Sequence, residues 1–211
     1  MKEKPVLDEK LVKEARFCLS PLNLASSSPN RLELLEKDCG IKVSAWPQNA
    51  EETKDGHTQP SSIVSHIALI KLVSFMNSRD FAPLTLSLAL DTMVSFRDEI
   101  LGKPEDRNDA RRMLREFSGQ MQEVVTGWAL FTPARGILSG CSTSRVFFSQ
   151  LSEAQIESYL DSGEWTGAAG GYRIQKTGYT LIERIEGSWS NVIGLPLEDI
   201  TKVLRNAPCP C

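Results

Sequence analysis

Five short stretches of this 211-residue chain hold residue types that could carry chemistry. In Ala25-Ser26-Ser27-Ser28-Pro29-Asn30-Arg31 an apolar run gives way to three hydroxyls, a proline and an arginine. Free N–H groups at such a turn into a helix suit a phosphate, and Arg31 offers a fork that can chelate phosphate oxygens. The same residues also read as a plain helix cap with a solvated arginine, and the glycines of a Walker loop are missing. Asp91 follows a buried-looking run, where α/β proteins place general bases and metal ligands, or simply a turn-forming Asp. Glu51 and Glu52, in a polar loop, could add a second carboxylate for Mg²⁺. Lys71 is the sole charge between Gly56 and Phe75, and Lys103 sits in a Gly-Lys-Pro corner. Taken singly, these two also read as a snorkelling helix lysine and a turn lysine.

Other chemistries find less support. His57 and His66 are the only histidines, and they offer no Ser/His/Asp or Cys/His arrangement. Cys209-Pro210-Cys211 supplies two thiolates where zinc wants four, so it reads as a tail. Five cysteines, odd in number and mostly far apart, point to a reducing compartment. With 24 Lys+Arg against 27 Asp+Glu, the net charge of −3 argues against coating a nucleic acid polymer. A small anion needs only a few well-placed cations. The longest stretch without Asp, Glu, Lys or Arg, Gly56–Ile70, falls short of the roughly 20 apolar residues of a membrane span. Met1–Arg16 lacks the apolar centre of a secretory signal. A cytoplasmic α/β protein is expected, with no membrane or nucleic acid partner.

Helices and strands must bring these residues together. Leu22–Ala25 reads as a buried strand, followed by a helix with Ser28 as N-cap, Pro29 at its first position and Gly40 at its close. Ile41–Trp46 is expected as a strand, Pro47–Pro60 as a polar loop and Ser61–Met76 as a helix. Leu84–Leu90 reads as a strand with Asp91 at or near its end. Ala110, Met113, Leu114 and Phe117 recur at helical spacing within Asp106–Phe117. Val124–Phe131 and Ile137–Phe148 read as strands about an Arg135-Gly136 turn, and Ser152 with Gln155 as a capping box. Gly167–Gly171 looks too small and flexible for a core. Tyr172–Gln175 and Tyr179–Ile185 are expected as strands, and Leu197–Arg205 as a closing helix. Met1–Ser20, with Leu7, Leu11, Val12 and Ala15 on one stripe, looks like an appendage that either docks or stays solvated.

In order along the chain stand Leu24–Leu35 (LASSSPNRLELL), Glu51-Glu52-Thr53, Ala68–Lys71, Asp91-Thr92 and Ile100–Leu114 (ILGKPEDRNDARRML). Phe117-Ser118-Gly119, Thr126-Gly127, Gly170–Gln175 (GGYRIQ) and Gly187–Leu197 (GSWSNVIGLPL) follow. This ordered set, spanning about Leu22 to Asn206, resembles the Maf family of house-cleaning nucleotide pyrophosphatases, related in fold to inosine triphosphate pyrophosphatases. The resemblance implies an α/β fold with a mixed twisted sheet flanked by helices, and two lobes about a central cleft. The domain would cover 21–206, between an extension at 1–20 and a Cys-Pro-Cys tail at 207–211.

It also implies hydrolysis of a nucleoside triphosphate to the monophosphate and pyrophosphate, with a divalent cation, Mg²⁺ or Mn²⁺, in a homodimer. On the family's pattern Asp91 is the proton acceptor, Glu52 with Asp91 holds the metal, and Ser26, Arg31, Lys71 and Lys103 bind phosphates. Three positions track the base, here Asn30, Thr92 and Gln175. Thr92 and Gln175 agree with the subgroup taking dTTP and UTP, whereas that subgroup has Arg at the place of Asn30. Gly167-Ala168 also replaces a usual Asp-Lys pair, Gln122 a common His, and Leu72 and Leu90 a usual Ala. The absent lysine implies weaker phosphate binding unless another cation, Arg173, stands in, and the missing pair is the main support for the alternative, a non-catalytic nucleotide-binding regulator of septum formation. A third reading, an interaction protein clipped by zinc at Cys209 and Cys211, predicts bound zinc.

Overall fold

The structure, a computed structural model, describes residues 5–48, 59–97 and 99–206. Leu22–Ala25 is strand β1, all four residues buried. After it come α2 (Pro29–Glu33), prolonged by a wider helical turn at Leu34–Asp38, and the short β2 (Val43–Ala45). Gly40 closes the helix at φ +63°, a conformation that costs a residue without Cβ little. Helix α3 (Pro60–Met76) leads to β3 (Leu86–Phe96) and β4 (Glu99–Leu101). Then follow α4 (Arg107–Phe117), β5 (Met121–Thr132), β6 (Gly136–Phe148) and α5 (Glu153–Asp161), the last opened by the expected Ser152/Gln155 capping box. Strand β7 (Ile182–Glu186), α6 (Trp189–Val192) and α7 (Leu197–Arg205) complete the chain.

Among the described residues the strands form one seven-stranded mixed sheet, in order β2-β1-β3-β5-β6-β7 with β4 also on β3. β1 runs parallel to β2 and β3, and the other pairs are antiparallel. The sequence expectation that β3 stops near Asp91 is corrected: β3 runs on to Phe96, and its neighbour β1 is what stops. β1 pairs with Leu86–Ala89 and β4 with Val94–Phe96, so Leu90–Met93 have no strand beside them on that edge. On the opposite edge β5 pairs continuously from Ser87 to Ser95. The sheet therefore forks at Leu90–Met93.

Each arm of the fork carries its own core. Val94, Phe96, Leu114, Phe117, Phe148 and Tyr172 fill one, with ring centroids 5.1–5.3 Å apart along the aromatic series. Leu24, Leu35, Leu88, Trp128, Leu195 and Ile200 fill the other. Helix α1 (Glu9–Leu19), expected within an appendage, is docked in this second core. Ala15 and Leu19, one turn apart, are fully buried there, and Glu14 meets Arg205 of α7. Gly167–Gly171 is likewise no loose linker: Gly170 and Gly171 are buried at φ +70° and +73°, and Gly170 N–H donates to Gly102 O at 3.0 Å. Tyr172–Gln175 is irregular chain running into a turn at 174–176 rather than the expected strand, because Arg173 is tied to Tyr159 Oη and the Glu164 carbonyl instead of a ladder. No helix among the described residues is long and apolar enough to cross a membrane.

Two contacts set how the layers meet. Gly127 on β5, the partner of Asp91 in the register, lies against the backbone of α3. A Cβ there would come 2.3–2.4 Å from Val64 and Ser65 main-chain atoms. Gly127→Ala should therefore cost about 3 kcal/mol by overpacking; an unchanged denaturation midpoint would show that α3 has room to move. In the other arm Arg107 and Arg111 of α4 reach Glu157 of α5, and together they hold its carboxyl down at about 2. A depressed carboxylate stabilises fully above its unfolded value of 4.5 and loses that contribution as pH falls towards 2. Glu157→Gln should flatten this acid limb of the pH–stability curve, measured by thermal melts between pH 5 and pH 2.

Candidate active site

The fork opens on a cleft of about 370 Å³. Ser26, Asn30 and Arg31 enter from the β1–α2 turn, Lys71 from α3, Asp91 and Thr92 from β3, and Lys103 from the corner after β4. Gln175 closes the wall beyond the glycine turn. The described residues singled out in the sequence thus line a single cavity. Glu52 lies outside the described residues, as do Glu51, His57, Cys209 and Cys211.

Arg31 is placed differently from a free phosphate fork. Its guanidinium is buried and fills the gap in the sheet. Nη1 donates to Leu90 O at 3.0 Å, the carbonyl that β1 would have served had it run on, and to Ser26 Oγ at 2.9 Å. Nε donates to Gly194 O at 2.8 Å and Nη2 to Thr92 Oγ1 at 2.7 Å. Four of its five N–H donors are thereby committed to protein, leaving one for any ligand. Burial draws the guanidinium down to about 10, against the pull of Asp91, so it stays charged at neutral pH.

The same bonds engage two other expected ligand residues. Ser26 Oγ also accepts from Ser28 N–H at 3.2 Å, so its own hydroxyl proton is what it has left to give. Thr92 Oγ1 lies 3.0 Å from Thr126 Oγ1, which in turn reaches Asn191 O. Ser28 stands at the N-cap as expected, but its side chain makes no capping bond. Gly194, within a motif that the sequence left without a role, is indispensable to this cluster. A Cβ on it would come 2.8 Å from Thr92 Oγ1 and 3.2 Å from Arg31.

Across the cleft Lys71 Nζ meets Asp91 Oδ1 at 2.6 Å, both side chains mostly buried. Consecutive strand residues point to opposite faces, so Asp91 looks towards α3 while Thr92 looks towards Arg31. Lys103 has no hydrogen-bond partner for its ammonium among the described residues, and the Gly170–Gly102 bond holds its corner in place. Arg173, the cation offered in place of the lysine missing at Gly167-Ala168, also lines the wall.

Charge decides what such a cleft can take. Among the described lining residues Arg31, Lys71, Lys103 and Arg173 face one carboxylate, Asp91. That surplus suits a small, multiply charged anion. No group of three or more His, Cys, Asp or Glu that could hold a metal occurs among the described residues. A Mg²⁺-type ion, bound through one carboxylate and completed by phosphate oxygens and water, fits this donor set; an all-protein cage does not.

A cation-lined cleft at the fork of a mixed α/β sheet defines the class of site, and the comparisons with known proteins define the family. Residues 21–207 match the family of Maf-like proteins, and the chain belongs to that family. It is 40% identical over 182 residues to a "dTTP/UTP pyrophosphatase" of Pyrococcus furiosus, covering 86% of this chain and 93% of that protein. A protein of the same name from Anaeromyxobacter dehalogenans is 38% identical over 192 residues, 90% of this chain and 95% of its own length. Among solved structures, a HAM1 protein from Coxiella burnetii aligns at a TM-score of 0.46 and 15% identity, over 90% of this chain and all of that one.

Arg31→Lys tests the placement of the guanidinium. A lysine keeps the charge but cannot serve four acceptors around one plane. It should cost about 2–4 kcal/mol in urea unfolding by leaving Leu90 O or Gly194 O unpaired. Unchanged stability would return Arg31 to the role of a free ligand.

Proposed function

We propose that the protein is a nucleoside triphosphate pyrophosphatase with a preference for dTTP and UTP. The observation that carries the reading is Asp91: one mostly buried carboxylate, in contact with Lys71, in a cleft where every other described charge is positive. The names of its relatives supply the substrate class.

Asp91 takes a proton from the attacking water as its oxygen forms a bond to the α-phosphorus. The bond between that phosphorus and the bridging oxygen breaks in line, and pyrophosphate leaves with the electron pair. Lys71 and Lys103 bind phosphate oxygens and offset the charge that builds on them. Ser26 donates its hydroxyl, and Arg31 contributes its one remaining N–H while holding the walls. A divalent ion bound by Asp91, with Glu52 as its second carboxylate, would supply Lewis-acid polarisation of the phosphate. Gln175, which can donate and accept, suits the O4 and N3–H edge of uracil or thymine. Nothing in the cleft favours the alternative of a non-catalytic regulator of septum formation. The homodimer stays part of this proposal, tested by light scattering on the eluting protein.

Incubation with Mg²⁺ and a panel of triphosphates, read by product chromatography, should yield monophosphate and pyrophosphate. No product from any triphosphate would refute the reading. Asp91→Asn should lower kcat by a factor of about 10² or more, within the range general-base catalysis supplies, with little change in melting temperature. Full activity in that variant would remove Asp91 from the mechanism.

A further inference from the structure

The cations that line the cleft differ in what they have left to give. Arg31 keeps a single N–H after serving Leu90, Ser26, Gly194 and Thr92. Lys71 is held on Asp91 at 2.6 Å. Among the described residues Lys103 and Arg173 form no ion pair, and both line the cavity.

Arg173 is nonetheless fixed in place. Its backbone N–H donates to Tyr159 Oη at 2.9 Å, and Gly178 lies so close that a Cβ there would come 2.5 Å from the Arg173 carbonyl. Its side chain is tied at three points: Nε to Glu164 O at 2.9 Å, Nη2 to Thr166 O at 2.8 Å, and Nη1 to Asn30 Oδ1 at 3.3 Å. None of these acceptors is charged, because the Glu164 carboxylate takes Thr177 N–H and Oγ1 instead. One N–H remains on each terminal nitrogen. Holding so long a side chain still costs conformational entropy. A fixed positive charge with two donors to spare is complementary to an anion; a neutral ring would be served as well by an uncharged donor.

In the reaction proposed above, water attacks from the Asp91 side, and in-line geometry sends the departing oxygen to the far side of the phosphorus. The charge that gathers there needs cations not already engaged on Asp91 or inside the sheet. Lys103 and Arg173 meet that need, and the glycine turn steadies both. Gly170 N–H holds the Lys103 corner through Gly102 O, and Thr166 O, just before Gly167, accepts from Arg173.

We infer that Arg173 binds the pyrophosphate end of the triphosphate, with Lys103 as its companion cation. The inference rests on the pyrophosphatase reading and adds to it a residue that grips the leaving group. No proton moves at Arg173: the electron pair of the broken bond stays on the bridging oxygen, and the two N–H groups donate to pyrophosphate oxygens.

The test is calorimetry of pyrophosphate and of UMP, each with Mg²⁺, on the wild type, Arg173→Met and Arg173→Gln. Met keeps bulk without donors, and Gln keeps a donor for a loop carbonyl without the charge. Each variant should weaken pyrophosphate binding by about tenfold, the worth of one hydrogen bond to a charged group, and leave UMP binding nearly unchanged. Unchanged pyrophosphate binding overturns the inference, as does a loss as large for UMP, or a wild type that takes up no pyrophosphate. If Arg173→Met melts far below the wild type, Arg173→Gln decides. Neither ligand contains the bond to be cleaved, so the outcome is separate from that of the triphosphate panel. A loss confined to pyrophosphate in a protein without turnover supports the inference and refutes only the catalysis. Turnover with pyrophosphate binding indifferent to Arg173 does the reverse.

Discussion

The guanidinium of Arg31 is the contact on which the site depends. A β-sheet cannot leave a carbonyl unpaired in its interior without a cost of the order of a lost hydrogen bond. Ending β1 at Ala25 while β3 continues creates that problem at Leu90, and Arg31 answers it from the next helix. The same planar group reaches Ser26, Thr92 and Gly194, so segments 163 residues apart in sequence meet around one side chain. The cleft exists because the sheet is interrupted, and it keeps its shape because a cation, not a strand, bridges the interruption.

The Asp91 side of the cleft is organised by close approach rather than by charge alone. Gly127 lets α3 lie against β5 directly opposite Asp91. That approach brings Lys71 of α3 within 2.6 Å of the carboxylate. Gly194 does the same service on the other face, where Arg31 and Thr92 would collide with any larger residue. The chain thus sets Asp91 and Thr92 beside two close approaches, each made possible by a missing side chain.

Much of this was legible in the sequence, for identifiable reasons. β1, α4 and α7 follow from apolar runs and helical spacing, which report burial directly. Ser26, Asn30, Arg31, Lys71, Asp91, Thr92, Lys103 and Gln175 stand out in the sequence by type and motif, and the structure brings them to one cavity. What escaped were features set by partners distant along the chain. Nothing near Asp91 says that β1 will stop beside it, so β3 read as too short. The stripe through Ala15 left docking of α1 open, but nothing near it says that α7 is the element that covers it. The glycine turn read as loose because left-handed backbone angles, which glycine allows and burial here uses, leave no hydrophobic mark. Arg31 was recognised as important, yet its bonding inward rather than to a ligand depends on Gly194, whose position no local pattern specifies.

The fork has a mechanical consequence. β3 and β5 pass uninterrupted beneath both cores, supplying Leu88 and Leu130 to one and Val94 and Val124 to the other. Any widening or narrowing of the cleft must therefore flex two long hydrogen-bonded strands, with the strain shared along their whole ladder. Continuous strands of this kind resist opening as a leaf spring does, and they give the two arms no pivot between them.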